Sequence, residues 1–313
     1  MARPRILVLR GGAIGDFVLT LPALQALRKR WPEAHIEVAG YPHIAELAQA
    51  GGLADRIISL DKADIARYFS LRPCISDEQA AYLKSFDFVV SYLYDPDGSV
   101  RRNMLGAGAR QVIYGCPIVR NAHAIDHFMK PLEELAIYAE EMERPQLLLK
   151  DAHMEKGRRR VKKTGNRVVA IHPGSGSPKK NWPLDKFTEL AEQVVRQISI
   201  LPMFIIGEAD ADIARELSEK RCEASVLSDC SLVELAEALS ACDGYVGNDS
   251  GVTHIAASLG IPVVALFGPT NAEIWAPRGP KVKVISGVDQ TTEGLAAISV
   301  DEVFDSLTQM ICN

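Results

Sequence analysis

An acidic side chain closes the first glycine-rich segment of the chain, Gly11-Gly12-Ala13-Ile14-Gly15-Asp16. The apolar run Ile6 to Leu9 before it predicts a buried strand, and the leucine pattern after it predicts a helix. A carboxylate at such a turn can take a proton from a reacting hydroxyl group. It can also act as an ordinary N-cap that binds the first-turn amides. A dinucleotide fingerprint is excluded, because Arg10 stands where G-x-G-x-x-G requires a glycine.

A second candidate segment runs from His172 to Pro183 and lies between a predicted strand and a predicted helix. Small residues such as Ser175 allow backbone amides to approach an anion, and Lys180 supplies a compensating charge. A diphosphate group fits such a loop. The Gly-Lys-Ser/Thr ending of a P-loop is missing, which argues against an ATPase. A glycine-serine turn without a ligand is the alternative.

The third candidate segment, from Gly247 to His254, also follows a predicted strand and begins a predicted helix. Asp249 or Ser250 is the expected N-cap, and the amides beyond it, starting at Gly251, are available to an anion. Asp249 can instead accept hydrogen bonds from sugar hydroxyls, and His254 lies one helical turn further on. Each of these two side chains is equally well explained as a structural residue.

Two Asp-x-Asp pairs, Asp95 with Asp97 and Asp210 with Asp212, have a spacing that can hold a divalent metal ion. The first pair, in Asp-Pro-Asp-Gly, is also typical of a turn, and the second begins a predicted helix, where acids favour the macrodipole. The six cysteines never approach C-x-x-C spacing. We therefore predict no metal site and a reduced, intracellular protein.

The composition excludes several classes of protein. The chain of 313 residues is 47% hydrophobic and 24% charged, as in globular proteins, and its net charge of −5 gives no indication of nucleic-acid binding. The first apolar run is too short for a signal peptide or a membrane span. We expect a cytoplasmic protein whose contact with the inner membrane surface, if it has one, is peripheral.

Strands and helices alternate twice along the chain, which predicts an α/β fold with two Rossmann-like, doubly wound domains facing across a cleft. The boundaries that we predict are residues 1–155 and 165–290, followed by a helical segment, 291–313, that packs back on the first domain or on the second. Each candidate loop then lies at the carboxyl edge of a parallel sheet, where ligands of such folds bind.

Together these motifs resemble glycosyltransferase family 9, the heptosyltransferases of lipopolysaccharide core synthesis. The resemblance extends from Ile6 to about Pro277 and rests on the joint order of motifs that are individually modest: Ile14-Gly15-Asp16, His172-Pro173-Gly174, Lys180-Asn181-Trp182-Pro183, Gly247-Asn248-Asp249-Ser250-Gly251 and Phe267-Gly268-Pro269-Thr270. It implies a GT-B fold in which the first domain binds the acceptor and the second holds a nucleotide-sugar donor.

The resemblance also implies roles for single residues. Asp16 matches the family's proposed general base, Lys180 its phosphate-contacting lysine, and Asp249 the acid that orients the donor sugar. Other residues are carried over as donor-binding, namely Ser175, Glu208, Ser250, Gly251 and His254. The residues expected to face the acceptor are Gly15, Arg101 and Arg102.

The activity implied is an inverting, metal-independent transfer of heptose from ADP-heptose to a lipopolysaccharide-core or other glycan acceptor. The nucleotide sugar is a substrate, and no cofactor is expected. Two alternatives stay open at this point. A nucleotide-sugar epimerase of the same architecture would need acid and base groups around the donor sugar. A nucleotide-sugar-binding protein without turnover would have no need of Asp16.

Overall fold

The computed structural model describes residues 3–61, 67–70, 74–139, 144–161, 167–220 and 222–312. The chain forms two compact units, residues 1–148 and 149–313, each with its own hydrophobic core. Within the described ranges, no helix combines the length and the apolar character needed to cross a membrane.

The first unit is built on a five-stranded parallel sheet of order β3-β2-β1-β4-β5. The strands are β1 (Arg5–Leu9), β2 (His35–Gly40), β3 (Arg56–Ser59), β4 (Phe88–Ser91) and β5 (Val112–Tyr114). The helices are α1 (Ile14–Arg30), α2 (Pro42–Ala50), α3 (Asp77–Lys84), α4 (Ser99–Gly106) and α5 (Ala124–Met129).

The direction of chain winding in the first sheet reverses between β1 and β4, which are hydrogen-bonded neighbours. The chain moves outward from β1 through β2 to β3 and then returns to the other side of β1. Such a switch point leaves a crevice at the carboxyl ends of the two central strands. The loop from Arg10 to Asp16 follows β1 directly and therefore lies at this crevice.

The second unit contains a six-stranded parallel sheet of order β11-β10-β9-β6-β7-β8. Its strands are β6 (Val168–His172), β7 (Leu201–Ile205), β8 (Ser225–Leu227), β9 (Gly244–Asn248), β10 (Val263–Phe267) and β11 (Val282–Ser286). Its helices are α6 (Asp151–Val161), α7 (Leu184–Ile198), α8 (Ala211–Glu219), α9 (Leu232–Ser240), α10 (Gly251–Ser258), α11 (Ala272–Trp275), α12 (Thr292–Ala297) and α13 (Val300–Ile311).

In this sheet the switch point lies between β6 and β9, which pair from Val169 with Gly244 to His172 with Gly247. The two loops predicted to bind phosphate follow these two strands, so they leave the sheet side by side. The predicted pair of doubly wound α/β domains is confirmed. Two strands were not predicted, β8 and β11, because both are short edge strands without a continuous apolar run.

One of the predicted domain limits needs a correction. The limit at residue 155 falls inside α6, which packs on α9 in the second unit and brings Gly157 against the Glu237 backbone. The segment after residue 290 is two helices, α12 and α13, and α13 packs against α7 of the second unit, which is one of the two predicted alternatives. Val303 and Leu307 of α13 are buried there, which explains the preference.

Candidate functional site

The predicted acid, Asp16, lies in the first turn of α1 with its side chain 31% exposed. Ala13 is the N-cap, and Asp16 Oδ2 accepts a hydrogen bond of 3.1 Å from the Ala13 backbone N–H. Asp16 is thus the third helical residue, and its carboxylate accepts a hydrogen bond from the N-cap residue. The alternative that Asp16 is itself the N-cap is therefore wrong. Gly12 has a φ of +96° and a Cβ there would lie 3.1 Å from Asp16 Oδ2, so glycine suits the position on both grounds.

A buried arginine lies behind this acid. Arg10 is 2% exposed, and its Nη2 lies 3.0 Å from the backbone oxygen of Asp16 and 3.8 Å from Asp16 Oδ1. Its guanidinium lies 4.4 Å from the ring centroid of Phe128. Burial lowers the pKa of Arg10, and the nearby Asp16 carboxylate opposes that shift. An arginine remains charged in such surroundings, so the acid faces a fixed positive charge that the sequence did not reveal.

The residues predicted to face the acceptor have structural contacts of their own. Gly15 lies within the first turn of α1. Arg101 Nε donates to the Val112 carbonyl oxygen at 3.1 Å, and Arg102 Nη1 donates to the Asp97 carbonyl oxygen at 2.7 Å. Both arginines are largely exposed, so a ligand can reach them.

The first unit also contains a cavity of about 540 Å³ near the carboxyl ends of β4 and β5. It is lined by Tyr94, Pro96, Tyr114, Cys116, Ile118, Arg120, Asn121, Ala122 and His127. The ring of Tyr94 is 61% exposed, and His127 Nε2 donates to the Cys116 carbonyl oxygen at 2.7 Å. Aromatic rings beside an arginine and polar amides are suited to the faces and hydroxyl groups of a sugar. Nothing in the sequence indicated this cavity.

In the second unit, Lys180 and Asp249 form an ion pair at the switch point. Lys180 Nζ donates to Asp249 Oδ2 at 2.8 Å, with the lysine side chain 34% exposed and the aspartate side chain 9% exposed. The two residues come from the loops after β6 and β9, as the predicted position at the sheet edge requires. A cation held in this way can exchange its carboxylate partner for a phosphate oxygen.

The side chain of Asn248 ties these two loops together. Asn248 Oδ1 accepts from the Trp182 N–H at 2.9 Å, and Asn248 Nδ2 donates to the Pro173 carbonyl oxygen at 2.8 Å. Ser175 Oγ lies 2.7 Å from the Ser177 carbonyl oxygen and 2.6 Å from Asn181 Oδ1. Ser175 is therefore engaged inside its own loop, and the role of Asn248 is one that the sequence did not indicate.

The start of α10 carries the remaining predicted donor residues. Ser250 is its N-cap, since its Oγ accepts from the Thr253 N–H at 3.4 Å, and Gly251 is the first helical residue. His254 is buried in the same helix, 4% exposed. Glu208 is exposed in the turn that follows β7, so it lies at the same edge of the sheet, one strand further out.

A buried chain of polar side chains continues from Ser250 into the sheet edge. His172 Nδ1 lies 3.2 Å from Ser250 Oγ, and His172 Nε2 lies 3.4 Å from Asp210 Oδ2. Gly174 allows this approach, because a Cβ there would lie 2.0 Å from Asp210 Oδ1. Burial raises the pKa of Asp210, but hydrogen bonds from His172 and the Gly207 amide outweigh it, so the pKa lies below its ordinary value.

Residues of both Asp-x-Asp pairs have partners within the protein. Asp95 accepts from the backbone N–H groups of Val100 and Arg101 at the start of α4, at 3.0 and 2.9 Å. Asp210 takes part in the chain just described, while exposed Asp212 pairs with Arg215 at 2.8 Å. In the part of the chain that the structure covers, His, Cys, Asp and Glu side chains form no group of three or more that could hold a metal ion.

Comparison with known proteins adds a family match. A family model described as glycosyltransferase family 9 (heptosyltransferase) matches residues 106–297. Lipopolysaccharide heptosyltransferase 2 of Escherichia coli K12 is 30% identical over 140 residues, which are 42% of this chain and 40% of that protein. Together with the matches to heptosyltransferase 2 of Haemophilus influenzae and of Salmonella typhimurium, this match spans only 36 to 40% of the relative's own length.

Two solved structures show the same fold. A glycosyl transferase family 9 protein from Veillonella parvula has a TM-score of 0.82 and 22% identity, covering 100% of this chain and 99% of that one. A heptosyltransferase of E. coli, WaaC with ADP, has a TM-score of 0.70 and 18% identity, covering 96% and 98%. At these low sequence identities, the two comparisons show a similar fold and nothing further.

Proposed function

The chain belongs to glycosyltransferase family 9, and on that premise we propose that it transfers heptose from ADP-heptose to a lipopolysaccharide-core glycan, with inversion at the anomeric carbon. The nucleotide sugar is the donor substrate, and the reaction uses neither a metal ion nor a resident cofactor. We place this reaction at the cytoplasmic face of the inner membrane, where the protein's contact with the membrane is peripheral.

One observation carries the proposal: Lys180 Nζ lies 2.8 Å from Asp249 Oδ2 at the switch point of the second sheet, next to the start of α10. In the proposed complex the diphosphate lies against Lys180 and the first amides of α10, where a cation and a helix N-terminus both favour an anion. Asp249 accepts hydrogen bonds from hydroxyl groups of the donor sugar. The choice of ADP agrees with the ADP bound in the E. coli heptosyltransferase structure.

Asp16 is the proposed base. As the acceptor oxygen attacks the anomeric carbon, its proton passes to the Asp16 carboxylate, and the bond to the diphosphate breaks with its electron pair going to the departing oxygen. The charge that develops on the diphosphate is stabilised by Lys180 and the helix amides. On the acceptor side, the cavity beside Tyr94 and Arg120 provides a surface for a glycan.

The direct test is a transfer assay with ADP-heptose and a heptose-deficient lipopolysaccharide core, with EDTA or with magnesium. We expect ADP release, a product with inverted anomeric configuration in its NMR spectrum, and no loss of rate in EDTA. Transfer that requires magnesium would contradict the metal-independent mechanism. Conversion of the donor sugar without an acceptor would favour the epimerase.

Replacement of Asp16 separates its two roles. In Asp16→Asn the amide oxygen can still accept from the Ala13 N–H, but the side chain cannot take a proton. We expect kcat to fall by about 10²- to 10⁴-fold with ADP affinity unchanged by calorimetry and the melting temperature nearly unchanged. Asp16→Ala should lose the same activity and, in addition, about 1 kcal/mol of stability from the helix start. Full activity of Asp16→Asn would exclude the base role.

A further inference from the structure

We infer that α12 holds in place the turn that carries Lys180, and that Thr292 and Lys186 are positioning residues for the binding of a diphosphate. The inference rests on the proposed function, since it takes Lys180 to contact the phosphate groups. Thr292 and Lys186 act on the ligand only through the backbone of this turn. Neither residue was singled out by its sequence pattern.

The first attachment of α12 to the turn lies one residue before Lys180. Thr292 Oγ1 donates to the Lys179 carbonyl oxygen at 3.1 Å, although the two residues are 113 positions apart in the chain. The start of α12 does not depend on this hydroxyl group, because Thr291 is the N-cap and its Oγ1 accepts from the Gly294 N–H at 2.9 Å. The Thr292 hydroxyl group therefore serves the turn and not its own helix.

The second attachment lies two residues after Lys180. The indole Nε1–H of Trp182 donates to the carbonyl oxygen of Ile298, the residue that follows α12, at 3.1 Å. The Trp182 ring is buried and packs edge-on against Phe187, with ring centroids 4.9 Å apart. The backbone N–H of Trp182 donates to Asn248, as described above. Lys180 thus lies between two residues that contacts from elsewhere in the second unit hold in place.

A half-buried lysine joins the second attachment to the end of α12. Lys186 Nζ donates to the carbonyl oxygens of Ala296 and Ile298, both at 2.7 Å, and lies 5.8 Å from the centroid of the Trp182 ring. Lys186 is the third residue of α7, where the helix macrodipole disfavours a positive charge. The last carbonyl groups of a helix, in contrast, attract a cation. The contact with α12 therefore explains why a lysine occupies this position.

The position of α12 is itself fixed by close packing on the sheet edge. Leu295 is buried in the core, and a Cβ at Gly268 would lie 2.9 Å from the Leu295 Cβ atom. A Cβ at Gly294 would lie 1.9 Å from the Val288 carbonyl oxygen, so only glycine allows this approach. Gly268 directly follows β10, which pairs with β9, the strand that leads to Asp249. The helix is thus held at the same edge of the sheet as the ion pair.

These contacts order the Lys180 turn before a ligand arrives. Within the turn, the Lys180 N–H donates to the Ser177 carbonyl oxygen at 2.9 Å, and the Asn181 N–H donates to the Pro178 carbonyl oxygen at 3.1 Å. Lysine has a flexible four-carbon side chain, so the reach of its ammonium group depends on how well its backbone is fixed. A mobile turn would have to be ordered on binding, which lowers affinity. The attachments to α12 therefore favour phosphate binding.

A double-mutant cycle tests whether Thr292 acts through Lys180. The four proteins are the wild type, Thr292→Val, Lys180→Met and the protein with both substitutions, and calorimetry gives the Kd for ADP of each. Thr292→Ser keeps the hydroxyl group. The matched control is Thr308→Val, since Thr308 Oγ1 also donates to a backbone carbonyl oxygen, that of Phe304 at 2.9 Å, but within α13.

We expect Thr292→Val to raise the Kd for ADP about three- to tenfold, as for the loss of one hydrogen bond, and Thr292→Ser and Thr308→Val to bind ADP as the wild type does. In the Lys180→Met protein, Thr292→Val should have no further effect, because the lysine through which it acts is absent. An unchanged Kd in Thr292→Val, or the same fold-change with and without Lys180, would overturn the inference and leave the proposed function standing. No ADP binding by the wild type would overturn both.

A comparison of two ligands tests the role of Lys186. Adenosine lacks the phosphate groups that Lys180 is proposed to contact, so a positioning residue for Lys180 affects ADP and not adenosine. We expect Lys186→Met to raise the Kd for ADP and to leave the Kd for adenosine unchanged, whereas Lys186→Arg, which keeps a cationic donor, restores ADP binding. An equal loss of affinity for both ligands in Lys186→Met would overturn the positioning role of Lys186. The Thr292 cycle does not depend on the folding of this variant.

Discussion

At the scale of single residues, the side chains proposed to bind substrate already have partners in the structure. Lys180 is bound to Asp249, and Asp16 closes the first turn of α1. Binding must therefore replace one contact with another, which keeps the cost of organising the site low, because the charged groups are already held near their working positions. A substitution that removes one partner affects the other as well.

Lys180→Met tests the role of the lysine, and Lys179→Met is its control because Lys179 is the exposed neighbour on the same turn. We expect the Kd for ADP to rise about tenfold or more in Lys180→Met, since hydrogen bonds between charged groups contribute about 1.5–3 kcal/mol. Lys179→Met should bind as the wild type does. Equal effects of the two substitutions on calorimetric affinity would show that only general positive charge matters.

Part of the site could be predicted from residue types and local spacing. Asp16 follows a glycine, Asp249 follows the end of a strand, and Lys180 lies in the glycine- and serine-containing loop after another strand, so the sequence alone marks all three. The contacts of Arg10 and His172 were not predicted, because they depend on partners brought together by the fold; Ser250 is 78 residues from His172 in the chain. Local patterns indicate positions along a strand but not which side chain of another strand lies opposite.

At the scale of elements, the contact between α6 and α9 decides where the second unit begins. Gly157 lets the two helices approach until a Cβ at this position would lie 1.8 Å from the Glu237 carbonyl oxygen. Ion pairs surround the contact, with Arg160 Nη2 2.7 Å from Glu234 Oε1. The sequence predicted a domain limit at residue 155, inside this helix, because charged residues dominate the segment and a single glycine carries the packing.

Two glycine substitutions with opposite expected signs test this packing. Gly157→Ala should lower the free energy of unfolding of the second unit by about 1–3 kcal/mol, the usual cost of overpacking. Gly106→Ala, at the end of α4, meets nothing within 4 Å and should raise stability by about 0.4–1 kcal/mol through the unfolded state. Urea unfolding curves measure both. A neutral Gly157→Ala would mean that α6 does not bind α9 this closely in solution.

At the scale of the whole molecule, each unit has its own core and its own candidate residues. The fold class and most strands could be predicted, because parallel strands buried on both faces give continuous apolar runs. The boundary between the two units could not be predicted, since it depends on which hydrophobic core the polar helix α6 packs against. Family resemblance is carried mainly by the second unit, and the family match begins at residue 106.

Two fragments test this division. Residues 149–313 keep α6, whereas residues 165–313 begin at the limit predicted from sequence and lose it. We expect the longer fragment to unfold cooperatively and to bind ADP as the full chain does. The shorter one should melt at least about 5 °C lower, because each 1 kcal/mol shifts the midpoint by about 2–4 °C at this size. Equal melting temperatures would place α6 outside the second unit.

The hydrogen bond from the Ala13 amide to Asp16 has an evolutionary consequence. We expect selection for a well-formed helix start to retain an acceptor side chain, aspartate or asparagine, at this position even in a lineage whose enzyme has lost its substrate. An inactive descendant should therefore keep one of these two residues long after the residues around Tyr94 and Arg120 had drifted. In surveys of related genomes, loss of transfer should first become visible in the cavity lining and in exchange of this aspartate for asparagine, with loss of the acceptor among the last changes.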